Sequence, residues 1–307
     1  MTQGPRVSLV VIAYNMAREL PRTLQSLSPA CQRDVHADEY EVIVVDNGST
    51  APFDEDLCRQ LCPNADIHVV RDAGPSPVAA INHGLSLARG ELVGVMIDGA
   101  RMASPRLVAT ALEAARLHER PVIGTLAFHL GPDVQMRSVA DGYNQQVEDA
   151  LLASVDWIAD GYQLYSIAVF AGSSSRGWFV LPAETNALFL HRAHWQELGG
   201  YDPAFVSPGG GLVNLDTWSR ACSDPAGQVI LLLGEATFHQ VHGGIATNST
   251  RSRWDEFHEE YVRIRRAPYR APSGTPLMVG RMPDQALPSL RISLPLPPSG
   301  NTEGTPA

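Results

Sequence analysis

The sequence predicts an α/β fold with a mostly parallel central sheet and helices on both faces. Three observations predict it. The first hundred residues alternate strand-like and helix-like segments four times, the pattern of right-handed crossovers in a parallel sheet. The strand-like runs are apolar throughout rather than alternating, as strands covered on both faces are. Three of these four runs stop at an acid with glycine close behind: Asp46, Asp72 and Asp98. In an open parallel sheet, ligands bind just beyond the carboxyl ends of the strands. One such acid is explained by turn formation. Three at the same topological position favour a polar ligand site.

The elements follow in order. Val7 to Ala13 reads as a first buried strand. Tyr14-Asn15 follows, then a helix with Leu20, Leu24 and Leu27 on one face and Pro21 near its start, where proline is tolerated. Glu41 to Val45 is the second strand, ending in Asp46-Asn47-Gly48-Ser49. Residues 54–62 read as helix, and Ile67 to Val70 as a third strand ending in Arg71-Asp72-Ala73-Gly74. A helix through Val78, Ile81 and Leu85 closes near Gly90. Leu92 to Ile97 is the fourth strand; Asp98 ends it and Gly99 lets the backbone turn. A helix over 105–118 takes Ser104 as N-cap and Pro105 at its first position. Val122 to His129 is another strand. Residues 130–180 show no clean period, and Trp157, Tyr162, Tyr165, Trp178 and Phe179 there read as core or as a lid over a site. Glu184 to Arg192 reads as a strand and 193–198 as a helix. Ser207-Pro208-Gly209-Gly210-Gly211 is a loop whose glycines can take unusual backbone angles. Residues 214–220 read as helix, Val229 to Leu233 as a buried strand, and 251–264 as an amphipathic helix. Prolines recur from Ala267, and 283–307 reads as a disordered or loosely attached tail.

Composition narrows the function. The 307 residues suffice for one large α/β domain or two small ones. A formal net charge of -10 argues against nucleic-acid binding and against a basic membrane anchor. No apolar run approaches the roughly 18 residues of a membrane span. The first strand follows the opening residues directly, with no signal peptide read before it. Cys31, Cys58, Cys62 and Cys222 form no Cys-x-x-Cys pair, so reduced thiols in the cytoplasm are expected. A dinucleotide G-x-G-x-x-G is absent after the first strand, where Tyr14-Asn15-Met16-Ala17 stands, and there is no P-loop. A bound nucleotide would need a metal or a basic side chain for its phosphates.

Read together, these segments resemble the inverting glycosyltransferases of family 2, which have the GT-A fold. The resemblance is carried by Val7 through Asn15, Val44-Val45-Asp46-Asn47-Gly48-Ser49, Ala80 through Leu85 with Ala88-Arg89-Gly90-Glu91, and Ile97-Asp98. Asn186 through Asp202, Leu215-Asp216 and His242 continue it. The resemblance implies that Ala13, Tyr14 and Asp46 hold the uracil of a nucleotide-sugar donor, with Asp72 touching the base. It implies that Asp98 opens the D-x-D motif facing ribose and diphosphate, and it puts Asn15, Asn82 and Gly99 among the donor-binding positions; Arg101, one residue past Ala100, is expected to bind the diphosphate in place of part of the metal site. Asp216 matches the general base that takes the acceptor's proton. His242 matches a late histidine that holds the metal or touches the diphosphate. A divalent metal, manganese or magnesium, is implied, with Asp98 and His242 as ligands. His239-x-x-His242 alone completes no recognisable zinc set. The chain departs from the family in having Ala100 at the second D-x-D acid, Ile81 before Asn82 and Leu215 before Asp216.

The expectation is a cytoplasmic GT-A enzyme that moves a sugar, UDP-linked, to an acceptor with inversion. Residues 1–267 would form one domain, with a donor half at 7–129 and an acceptor half at 180–245; 268–307 would be a proline-rich extension. The rival is a non-catalytic nucleotide-sugar-binding protein on the same fold. Sugar, acceptor and oligomeric state stay open at this level.

Overall fold

The structure is a computed structural model describing residues 4–51, 53–71, 73–243 and 253–294. Its frame is laid down by β1 (Val7–Ala13), α1 (Glu19–Leu27), β2 (Tyr40–Asp46), α2 (Glu55–Leu61), β3 (Ala65–Val69), α3 (Val78–Leu87) and β4 (Leu92–Met96). The four strands lie side by side as β4-β1-β2-β3, all parallel. Every residue of β1, β2 and β4 is buried, because helices cover both faces. Successive strand residues point to opposite faces. Val7, Leu9 and Val11 accordingly pack with Leu20, Leu24 and Leu27 of α1, while Val10 and Ile12 pack with Val78 and Ile81 of α3. Each such side chain contributes about 1.5–3 kcal/mol on burial.

The chain continues through β5 (Arg101–Ala103), α4 (Leu107–Ala115), β6 (Pro121–Leu130), α5 (Gln135–Ala140), α6 (Gln145–Ala153), β7 (Ala168–Phe170), β8 (Ala187–His191) and α7 (Arg192–Leu198). It ends with α8 (Val213–Cys222), β9 (Gln228–His239), α9 (Trp254–Arg265), β10 (Leu277–Gly280) and α10 (Leu287–Ser293). The full order is β10-β9-β6-β8-β4-β1-β2-β3, with β5 on β9 and β7 on β6. β8 runs antiparallel to both β4 and β6, and the other long pairings are parallel. Gly94 of β4 faces Phe189 of β8; a Cβ there would lie 2.5 Å from the phenyl ring.

Two expectations change, and one left open between core and lid is decided. Ser104 does not cap α4: its hydroxyl donates to Glu235 Oε2 at 2.5 Å, and Arg106 takes the cap position. Within 130–180, Trp157, Tyr165 and Trp178 are core, packed with Phe128 and Phe238, whereas Phe179 is exposed. The segment from 277 to 294 is packed rather than loose. β10 extends the sheet beside β9, Ala286 is buried, and Trp178 Nε1 donates to Ser289 Oγ at 2.8 Å. The boundary read at 267 therefore falls inside one sheet, because its edge strand lies beyond it; 295–307 lie outside the described residues. No described helix is long and apolar enough to cross a membrane. All four cysteines are free thiols.

Candidate functional site

The topology decides which residues meet. β1, β2, β4, β6 and β9 share one direction, so their carboxyl ends fall along one edge of the sheet. β8 runs the other way, so its beginning lies at that same edge, with Ala187 beside Met96. A cleft of about 520 Å³ opens there. Tyr14 follows β1, Asn47 follows β2, Asp98 follows β4, His129 closes β6, His242 follows β9, and Glu184 and Asn186 precede β8; all line the cleft. The far wall is the glycine loop and Asn214 of α8. Gly209, Gly210 and Gly211 have φ of 71°, 86° and 53°, so the left-handed backbone expected of this loop is present.

Asp98 sits between two imidazoles. Its Oδ2 lies 3.0 Å from His239 Nε2 and 3.3 Å from His242 Nε2, and the two Nε2 atoms are 3.1 Å apart. Ligand atoms of these three residues all lie within 4.8 Å of one another. Gln135 Oε1 lies 2.5 Å from His239 Nδ1. An amide oxygen accepts, so the ring proton sits on Nδ1 and Nε2 turns its lone pair toward the Asp98 carboxylate. Burial, with the Arg101 charge second, pushes His239 down to about 4 and keeps it neutral. Burial opposes the charge of Asp98 and of His242 alike. Even so, the imidazoles hold the Asp98 carboxyl well below the usual range, and Asp98 raises His242. Two lone pairs facing each other across 3.0 Å, with a third ligand alongside, fit a cation. One carboxylate and two imidazoles suit a first-row transition metal better than magnesium. Glu148 fixes the strand end that carries His242, its Oε2 accepting from Val241 N–H at 2.7 Å. His239 was visible in His-x-x-His, but its acid partner lies 141 positions away in sequence.

Arg101 stands beside this group, its backbone paired with His239 across β5 and β9. It is 8% exposed, and neither Nε nor Nη1 has a hydrogen-bond partner among the described residues. Asp98 Oδ2 is 4.0 Å from its Nε. Burial lowers its pKa, against the charges of Asp98 and Glu184. Asn47 is a second such case, with a buried Oδ1 that no described donor reaches. His129, pushed down to about 3 by burial and by the charges of His239 and Arg101, faces the cleft as a neutral ring.

Of the residues expected at the site, the cleft collects Tyr14, Asn15, Asp98, Arg101 and His242. Asn15, at φ 52°, also staples the next loop, its Oδ1 accepting from Thr50 N and Ala51 N. Ala13 and Gly99 are buried in the backbone layer beneath, with Gly99 N donating to Ile12 O. Asp46 turns into its own loop, where Oδ1 accepts from Ser49 N and Oγ. Asn82 ties α3 to Tyr201 through that residue's N and O. Asp72 lies outside the described residues.

Asp216 needs a correction. It is 1% exposed, and its carboxylate is held by Arg220 Nε at 2.8 Å and by Arg265 Nε and Nη2 at 2.6 Å each. It does not line the cleft; Asn214 does. Residues two apart on a helix point about 200° from each other. One face of α8 therefore cannot present both. The residues missed at the sequence level are Asn47, His129, Glu184, Asn186, Asn214 and His239. His239 carried a signal in His-x-x-His, and His129 carried one by standing at a strand's carboxyl end as Asp98 does.

A polar cleft at the carboxyl edge of a mainly parallel sheet is where α/β proteins of this class bind their ligands. Residues 8–126 match the family described as Glycosyl transferase family 2. No curated protein matches it. Among solved structures, S. aureus TarS is similar at 17% identity and a TM-score of 0.51, over 77% of this chain and 37% of that one. S. aureus TarS 1-349 in complex with UDP-GlcNAc is similar at 16% identity and 0.53, over 87% and 68%. The same fragment in complex with UDP is similar at 15% and 0.50, over 77% and 60%. These are likenesses of fold, and they give the GT-A class. The chain spans little more than a third of the whole TarS chain.

Proposed function

We propose that this chain transfers a sugar from a UDP-linked donor to a hydroxyl acceptor with inversion at the anomeric carbon. One observation carries the proposal: Arg101 is buried with two nitrogens lacking an acceptor among the described residues, in a cleft it shares with Asp98 and His242. A diphosphate supplies the oxygens that Arg101 lacks, and guanidinium matches phosphate with parallel hydrogen bonds. In this assignment the nucleobase lies toward Tyr14 and Asn47. The exposed Tyr14 ring offers a stacking face, and Asn47 Oδ1 accepts the imide N–H of uracil. Asp98, His239 and His242 would hold a divalent metal, manganese or magnesium with manganese favoured, which would neutralise charge on the diphosphate. Arg101 supplies fixed positive charge at the position where Ala100 leaves the D-x-D motif short of an acid. The TarS complexes with UDP and UDP-GlcNAc support a UDP donor by fold alone. Cytoplasmic location and the donor and acceptor halves at 7–129 and 180–245 belong to the same proposal.

A second reading has its own observation. Asp216 is locked by two arginines, so the expected base is missing from the cleft, as in a protein that binds donor without turning it over. A panel of UDP-GlcNAc, UDP-glucose and GDP-mannose with manganese separates the two by nucleotide release. Release from one donor, lowered at least about 100-fold by Arg101→Ala, supports transfer. Binding without release supports the second reading. Full loss on chelation, restored by manganese, with an indifferent alanine variant would remove Arg101 from the leaving-group role.

A further inference from the structure

We infer that Glu184 is the general base, an inference that rests on the transfer reading above. Among the described residues lining the cleft there are two carboxylates, Asp98 and Glu184. Asp98 is committed to two imidazoles and to the Ala100 N–H. Glu184 is half-buried and uses one oxygen: Asn214 Nδ2 donates to its Oε2 at 3.0 Å. No described group donates to its Oε1.

The carboxylate is held in place by residues that are themselves fixed. Tyr201 O–H donates to Asn214 Oδ1 at 3.2 Å, which settles the orientation of that amide. Its Nδ2 then reaches both Glu184 Oε2 and the Thr185 carbonyl at 3.0 Å. Asn214 thus acts as a positioning residue, from the helix position that faces the cleft. The antiparallel return of β8 sets Glu184 at the same sheet edge as Asp98, and the charges of both act on Arg101. An acceptor hydroxyl at Glu184 therefore approaches a donor whose diphosphate is held at Arg101.

The step balances as a single displacement. Glu184 takes the hydroxyl proton as the acceptor oxygen bonds to the anomeric carbon. The bond from that carbon to the diphosphate oxygen breaks, and its electron pair leaves with the nucleotide. Attack opposite the leaving group inverts the centre.

Nucleotide release from the same donors, with water as acceptor, tests this. Glu184→Gln keeps the shape and the Asn214 contact site, and its melting temperature should stay within about 2 °C. Donor affinity should change less than about twofold, while release falls about 100-fold or more. In Glu184→Ala, sodium azide, an anion with no proton to lose, should restore release and give a glycosyl azide of inverted configuration. Unchanged release in Glu184→Gln, or failure of azide to restore a well-folded, donor-binding Glu184→Ala, overturns Glu184 as base and leaves the transfer reading intact. If the wild type releases nucleotide from no donor, the transfer reading falls and takes the base with it.

Discussion

Asp98 and Asp216 are both sheltered acids with cationic neighbours, and they end in opposite situations. Asp98 leaves β4 at the open edge of the sheet, beside two histidines that can exchange a proton for a metal. Asp216 leaves α8 on the face away from that edge, between Arg220 and Arg265, whose charge is permanent. A carboxylate between arginines is a fastening. A carboxylate between imidazoles can respond to metal and to pH. The partners, more than the acid, decide which of the two it becomes.

The sharpest way to break this contrast is Asp216→Asn. Arg220 would lose its acid partner, and Arg265 would keep only Asp202. Removing one partner of a buried pair costs about 3–5 kcal/mol, and about 3 is expected here because each arginine side chain is 26% exposed. Urea unfolding reads the loss. An unchanged midpoint together with lost turnover would return Asp216 to the site.

Next comes the metal. Manganese at about 100 times its dissociation constant should stabilise the folded chain by about 2.7 kcal/mol. Asp98→Asn and His242→Ala should lose that gain, and Asp216→Asn should keep it. An equal rise of melting temperature in Asp98→Asn would move the metal elsewhere.

Smaller again is the response to pH, followed in EDTA. His239 and His129 are held down to about 4 and about 3. Below about pH 6.5 the unfolded chain takes up protons that these two refuse when folded. Stability is then present above that pH and is lost as pH falls toward 4, on the order of 1–2 kcal/mol per pH unit. His242, raised by Asp98, is protonated in both states over that window and adds no slope; its contribution disappears only as pH rises. Equal urea midpoints at pH 7 and pH 5 would contradict neutral, buried imidazoles.

The smallest effect is expected at Asp46, whose sequence context resembles that of Asp98. Asp46→Ala should cost about 1 kcal/mol of stability by freeing Ser49 from its turn, with UDP affinity nearly unchanged. A tenfold weaker UDP by calorimetry, at an unchanged melting temperature, would place Asp46 on the nucleotide.

Much of the fold was legible because residues 7–129 are built from local signals. Continuous apolar runs can only be strands covered on both faces, and short crossovers leave one handedness. Val7–Ala13 was read with the observed bounds, and Asp98 at a strand end needed only that topology. Residues 180–245 were less legible. Its site residues come from the start of an antiparallel strand and one face of a short helix. Asn214 and Asp216 look interchangeable in a list of polar residues, and only the helical angle between them separates cleft from core.

The sequence by itself determined the strand-helix alternation, the strand-end acids and the family resemblance, since periodicity and chain order are local properties. Tertiary structure alone decided that β8 returns antiparallel and brings Glu184 to the edge where β4 delivers Asp98. It alone joined His239 to an acid 141 positions away and left two Arg101 nitrogens without a hydrogen-bond partner among the described residues. The physical reason is distance along the chain. A site is made by side chains that pairing and packing bring together, and no local pattern records which distant residue will be the neighbour.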